Sequence, residues 1–253
     1  MELAGETIVW CVMEMAEEPG VSWPLGAGVR IVQSTAEGLV ALAKPPGVRS
    51  HPNKSAPDRN ALLVAPYDAG AEAFVLDNGE RVHLLHRLDS PTSGVLLLTQ
   101  SDAIASEIRA QFADRKVEKV YKAWVRGRLA GFRGVWRDSL RSQRRGGVAR
   151  TSRGGGDLAI TEVRSCAVAG SPWNATLLEM RPKTGRTHQL RVQCAQRRMP
   201  ILGDSTYGDF RWNREFSRAT GEKRLFLHAE SITLHFRGHR FLAADPLPES
   251  FQI

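Results

Sequence analysis

Apolar and polar residues alternate with a period of two in several short stretches of this chain and follow a helical period in few. Val29-Arg30-Ile31-Val32 and Leu39-Val40-Ala41-Leu42-Ala43 flank a turn at Glu37-Gly38, and the pattern predicts two strands. Lys44-Pro45-Pro46-Gly47 stops the second strand, because consecutive prolines cannot join a sheet interior. The polar run from His51 to Arg59 reads as a loop. Ser101 is placed to cap a helix reaching Phe112, with Ile104, Ile108 and Phe112 on one face. From Val117 to Arg126 the two sides alternate, Val117, Lys119, Tyr121, Ala123 and Val125 against Glu118, Val120, Lys122 and Trp124, which predicts a strand carrying Tyr121. Further strands are predicted at Ile160–Val163, Ala175–Met180 and Leu225–Phe236. Thr187 is expected to cap a second helix running toward Arg198 and ended by Pro200.

Two segments stand apart from this pattern. Residues 1–25 are acidic and Met-rich, closed by Pro24 and Gly26, and read as an N-terminal extension ahead of one domain over residues 26–253. Arg126 to Arg153 is rich in arginine and glycine, with Asp138 its one acid, and is expected to be an exposed basic loop or loosely formed hairpin. Several strands, two clear helices and no regular βα alternation predict an α+β fold. Its sheet should be mixed, largely antiparallel and flanked by helices.

Composition narrows the partners. The 253 residues are 42% hydrophobic and 25% charged, as in ordinary globular proteins, but the net charge of +8 favours polyanions, nucleic acid first. Cys11, Cys166 and Cys194 are odd in number and widely spaced, which suits a reducing compartment; Cys194 reads as a small buried apolar residue. Glu2 and Glu6 oppose a signal peptide, and Ile8–Val12 is too short to span a bilayer. A cytoplasmic protein with no membrane partner is the expectation.

The chemistry concentrates at His86-Arg87-Leu88-Asp89-Ser90-Pro91-Thr92-Ser93-Gly94, which runs into Val95-Leu96-Leu97-Leu98. Asp89 lies where a polar turn meets an apolar strand, so rigid structure fixes it. On residue type alone it is a turn-capping aspartate, a nucleophile, a base or an anchor. His86 and His188 have no carboxylate or cysteine at ligand spacing, so no metal is expected. Nor does any glycine loop suggest a nucleotide cofactor.

Five blocks in order then identify a family. They are His86-Arg87-Leu88-Asp89 with Thr92-Ser93-Gly94; Glu118-Lys119-Val120-Tyr121-Lys122-Ala123; Thr184-Gly185-Arg186-Thr187-His188-Gln189-Leu190-Arg191; Pro200-Ile201-Leu202-Gly203-Asp204 with Tyr207-Gly208; and Leu227-His228-Ala229. In these the chain resembles the RluA family of pseudouridine synthases. The resemblance implies the family's bent sheet and an RNA uridine isomerase acting on rRNA or tRNA without a cofactor. It makes Asp89 the catalytic carboxylate, as nucleophile or as base, Arg191 its salt-bridge partner, and Tyr121 the residue stacked on the base. Arg87 would fill the space left by a flipped nucleotide, and Leu190 would line the uracil pocket. His86, Arg186, His188 and Lys44 complete the expected substrate contacts. Arg49, Lys54, Arg141, Arg144, Arg145, Arg197 and Arg198 join Lys44 and Arg186 as phosphate candidates.

Residues 1–25 are too few for the S4 domain that many relatives carry, and a monomer is the default. Two rival classes are a non-catalytic RNA-binding protein retaining the scaffold and a glycoside hydrolase. The latter normally needs a second acid beside Asp89, where the chain offers arginine.

Overall fold

The computed structural model describes residues 22–52, 56–145 and 148–253, with side chains left out at 144–149. Most of the segment read as an N-terminal extension, together with Cys11 and Lys54, lies outside the described residues. Where that segment enters view it is already packed: Trp23 is buried and Leu25 bridges Leu63.

Thirteen strands of the described residues form one curled sheet, in the chain order β1 (Arg30–Ser34), β2 (Leu39–Lys44), β3 (Tyr67–Asp68), β4 (Ala73–Val75), β5 (Arg81–Leu84) and β6 (Ser93–Thr99), then helix α1 (Asp102–Ala113). There follow β7 (Glu118–Arg126), β8 (Arg133–Arg145), β9 (Val148–Arg153), β10 (Asp157–Ala169) and β11 (Ala175–Pro182). Helices α2 (Gln189–Gln196) and α3 (Phe210–Thr220) precede β12 (Leu227–Phe236) and β13 (His239–Ala244). Ser101 caps α1 as the sequence predicts, its hydroxyl accepting from the Ile104 N–H. The mixed, largely antiparallel α+β architecture is as expected.

One junction organises the whole. Among the described residues the only parallel strand pairing joins β6 to β12, through Ser93–His228 and Gly94–Ala229. It links the half of the sheet holding β2 and β5 to the half holding β7, β11 and β10. Every residue of β6 is buried, which explains its unbroken apolar run. Gly94 is required here: its φ is +115°, and an added Cβ would lie 2.1 Å from the Ala229 carbonyl oxygen. Tyr121, on β7, packs against the apolar clusters of both halves.

Three expectations need correction. The arginine-rich stretch is an ordered hairpin of β8 and β9, and β8 also pairs with β10 from Arg133–Arg164 to Leu140–Asp157. That second partner gives β8 an inward face, so Trp136, Asp138 and Leu140 are buried. Thr187 does not cap α2. The helix starts after His188 in a left-handed conformation (φ 54°), and Gln189 secures the turn by accepting from the Arg186 N–H and the Thr184 hydroxyl. Finally, α3 is a third helix. Asp209 caps its start, Gly221 ends it at positive φ, and Trp212 and Phe216 supply its buried face at i, i+4. Those signals were present in the sequence, but two apolar residues make a faint period.

Candidate active site

A cleft of about 510 Å³ opens where the Asp89 turn, the end of α1, the start of β7 and the turn before α2 converge. Asp89 is its one lining carboxylate, against six lining cations: Arg87, Arg115, Lys119, Lys183, Arg186 and Arg191.

The turn carrying Asp89 is stitched to the loop after β2. Lys44 donates from Nζ to the carbonyls of Val48 (2.8 Å), Ser90 (2.9 Å) and Pro45 (3.0 Å). Ser50 donates to the Leu88 carbonyl and accepts from the Leu88 N–H. Within the turn, the Thr92 N–H donates to the Asp89 carbonyl at 3.0 Å. These bonds explain how a carboxylate that is a quarter exposed keeps one direction.

That direction is toward Arg191. Nη1 of Arg191 lies 3.1 Å from Asp89 Oδ2, while Nε and Nη2 each donate to Asp204 at 2.8 Å. Asp204 is almost wholly buried and also accepts from the N–H groups of Thr206 and Tyr207. Burial opposes charge on both partners, but their mutual hydrogen bonds outweigh it. Arg191 is held above the usual guanidinium range and Asp204 below the usual carboxylate range.

His188 approaches Asp89 from the other side, with Nε2 3.8 Å from Oδ2. The Tyr207 hydroxyl shares a 2.8 Å hydrogen bond with His188 Nδ1 and also accepts from the Thr151 N–H. Burial keeps the His188 ring below its usual pKa. Tyr121 lines the same cleft, its phenol pushed above the usual range by burial and then by the Asp89 charge. Leu190 is buried and forms part of the lining.

The remaining expected residues divide. Arg87 is exposed at the cleft mouth. Arg186 also lines the mouth but is paired with Asp157 at 2.8 Å. His86 lines the wall with its ring tied down: Nε2 accepts from the Leu97 N–H at 3.2 Å, and Phe112 lies 4.9 Å away. Burial, aided by Lys119, lowers it to about 3, so it is a neutral ring in the folded protein.

Lys44 is a correction to the expected phosphate contacts. It is 1% exposed with its donors spent on three carbonyls, so no phosphate reaches it. Arg49 and Arg197 are likewise engaged, with Asp58 and Asp138. Arg141 and Arg198 are exposed, whereas the side chains of Arg144 and Arg145 lie outside the described residues. Cys194 is fully buried, as expected, and burial raises its thiol well above the usual range.

Sequence reasoning assigned no role to Asp204, Tyr207 or Lys119, although all three stood in the quoted blocks. A countable signal existed for Asp204: a buried guanidinium has five donors, more than Asp89 alone can accept. Among the described residues no cluster of three or more histidine, cysteine, aspartate or glutamate side chains could hold a metal. No described helix is long and apolar enough to cross a membrane.

Comparisons with known proteins agree with this geometry. The family profile described as RNA pseudouridylate synthase matches residues 38–196. The tRNA pseudouridine synthase C of Vibrio cholerae serotype O1 is 36% identical over 211 residues, covering 78% of this chain and 81% of that protein. Its counterpart in Salmonella typhi is 35% identical over 229 residues, 84% of each. The solved structure titled human RNA pseudouridylate synthase domain containing 4 superposes with a TM-score of 0.63 and 26% identity, over 87% of this chain and 89% of that one. The matched profile spans the Asp89 turn, Tyr121 and Arg191, and with these relatives it establishes that the chain belongs to the RNA pseudouridylate synthase family, of the RluA type its motifs resemble.

Proposed function

We propose that residues 26–253 form a catalytic domain that isomerises uridine to pseudouridine in structured RNA, with Asp89 acting on a flipped-out nucleotide. The names of the relatives favour tRNA over rRNA as the substrate. The observation that carries the reading is the single carboxylate in a cleft otherwise ringed by cations, aligned by a guanidinium that is itself clamped.

The reaction breaks the bond from uracil N1 to the ribose and forms one from C5 to the same ribose carbon. A proton leaves C5 and one is gained at N1, so no redox partner enters. Either version of the Asp89 step, attack on the sugar or removal of a sugar proton, requires an ionised carboxylate. The Arg191 guanidinium donates to that carboxylate, and the His188 ring lies 3.8 Å from it. Tyr121, a neutral phenol, packs against the uracil and is placed to assist loss of the C5 proton. Leu190 supplies apolar surface beneath the ring, and Arg87 takes the place of the extruded base.

Incubation of a tRNA transcript with the protein, with pseudouridine scored by site, tests the reading. Wild type should form pseudouridine, and Asp89→Asn should lose at least about a thousandfold in rate while still binding the RNA. Wild-type activity in Asp89→Asn would refute the role of the carboxylate.

A further inference from the structure

Apart from Arg87, which is exposed and has no acid partner among the described residues, the cations lining the cleft fall into two groups according to what neutralises them. On the side built by β11 and the turn into α2, each has an acid of its own. Lys183 pairs with Glu162 at 3.0 Å, Arg186 with Asp157 at 2.8 Å, and Arg191 with Asp204 and Asp89. On the side built by the end of α1 and the start of β7, Arg115 and Lys119 have none. Among the described residues no carboxylate lies within 4.0 Å of either, and neither side chain makes a hydrogen bond.

Lys119 is the more telling of the two. It sits two residues before Tyr121 on β7, so both project from the same face of the strand. Its stem is largely buried, and the ammonium has only the Phe112 ring at 5.8 Å and the neutral His86 for company. Burial accordingly depresses its pKa. A cation–π contact at that distance is a weak substitute for a counterion. Arg115 extends the same side outward to solvent, beyond the capped end of α1. A partly buried ammonium and an exposed guanidinium that line one cleft, neither paired with an acid among the described residues, make a site suited to an anion.

We infer that Arg115 and Lys119 receive phosphates of the RNA strand flanking the reacting nucleotide, so that the backbone enters along the α1–β7 side. The cations of the β11–α2 side serve the fold and the Asp89 geometry instead. This inference rests on the proposed function and adds to it the side of the cleft that grips the backbone.

Each phosphate contact contributes a counterion-release term, so the test is the salt dependence of RNA affinity. A tRNA transcript is titrated at several salt concentrations against wild type, Arg115→Gln, Lys119→Gln, Lys119→Arg and Lys183→Gln. Arg115→Gln and Lys119→Gln should each weaken binding and reduce the slope of log K against log salt by about 0.7 to 1. Lys119→Arg keeps the charge and should hold the slope, and Lys183→Gln should leave it unchanged. An unchanged slope in Arg115→Gln, or an equal loss in Lys183→Gln, overturns the inference. Should Lys119→Gln fail to fold, the exposed Arg115 decides. Pseudouridine formation by wild type on the same transcript is scored in parallel. Its absence counts against the functional reading, whereas activity with unaltered slopes counts only against the side of entry.

Discussion

Asp204 holds Arg191 by two of its three nitrogens and leaves the third for Asp89. The guanidinium is planar, so fixing one edge fixes the direction of the remaining amino group. Asp204 thereby sets the angle at which a cation meets the proposed catalytic carboxylate, although it does not line the cleft. Removing one member of a buried pair leaves the other charged and unsatisfied.

Asp204→Asn should therefore cost about 3–5 kcal/mol of stability and, in whatever folds, about a hundredfold in turnover through misplacement of Arg191. Urea unfolding and single-turnover kinetics check the two losses separately. Unimpaired turnover in a folded variant would show that Asp89 is aligned by something else.

Gly94→Ala is expected to prevent formation of the parallel junction. The new methyl would meet Ala229 backbone atoms at 2.1, 2.6 and 2.7 Å, at a φ of +115° that alanine rarely adopts. Neighbouring backbone cannot yield as a flexible side chain would. The measurement is soluble yield together with near-UV circular dichroism, and a native spectrum at wild-type yield would contradict the geometry.

Acid should weaken the protein before its carboxylates titrate. His86 is lowered to about 3 by burial and Lys119, and burial also lowers His228. His228 is suited to the neutral form, accepting from the Ser93 hydroxyl at Nδ1 and donating to the Asp245 carbonyl from Nε2. The unfolded chain takes up these protons near pH 6.5 and the folded chain refuses them. Stability is therefore full above that pH and falls as pH drops toward 3, with a limiting slope of about 1.4 kcal/mol per pH unit from His86, to which His228 adds in the same direction. His86→Gln keeps an acceptor for the Leu97 N–H and should remove one such slope between pH 6 and 4.5 in about the same units. Denaturant titrations across that range decide it, and an undiminished slope would rule His86 out as the source.

Lys44→Met should damage the Asp89 turn from beneath. It leaves the carbonyls of Pro45, Val48 and Ser90 without the ammonium that joins them. A buried acceptor stripped of its donor costs about 1–3 kcal/mol, so the turn should loosen and turnover should fall. RNA affinity should not change its salt slope, because Lys44 touches no phosphate. A reduced slope would restore Lys44 to the RNA contacts.

Much of this was readable along the chain. Strand-like runs located β2 and β11, alternation located β7, Ser101 and its apolar face located α1, and the ordered blocks named the family with Asp89, Tyr121 and Arg191 in it. Each of those signals lies within a few consecutive residues. The β8–β9 hairpin was read as loose because its arginines mask a thin apolar face. Trp136 and Leu140 acquire a core only when β10 lies alongside. The start of α2 was assigned to Thr187 by residue type, whereas the chain secures it through the side chain of Gln189.

The sequence by itself determined the strand and helix periods, the sharp turn that presents Asp89, the basic charge and the family. Tertiary structure alone decided which cations are spent and which are free. Lys44 reaches Ser90 across 46 positions and Arg191 reaches Asp89 across 102, while Arg115 and Lys119 meet no acid among the described residues. Residue type records a charge, but its partner is chosen only when distant segments close into the sheet, where desolvation makes a buried ion such as Arg191 or Lys44 depend on acids or carbonyls from far along the chain, whereas Arg115 stays in water.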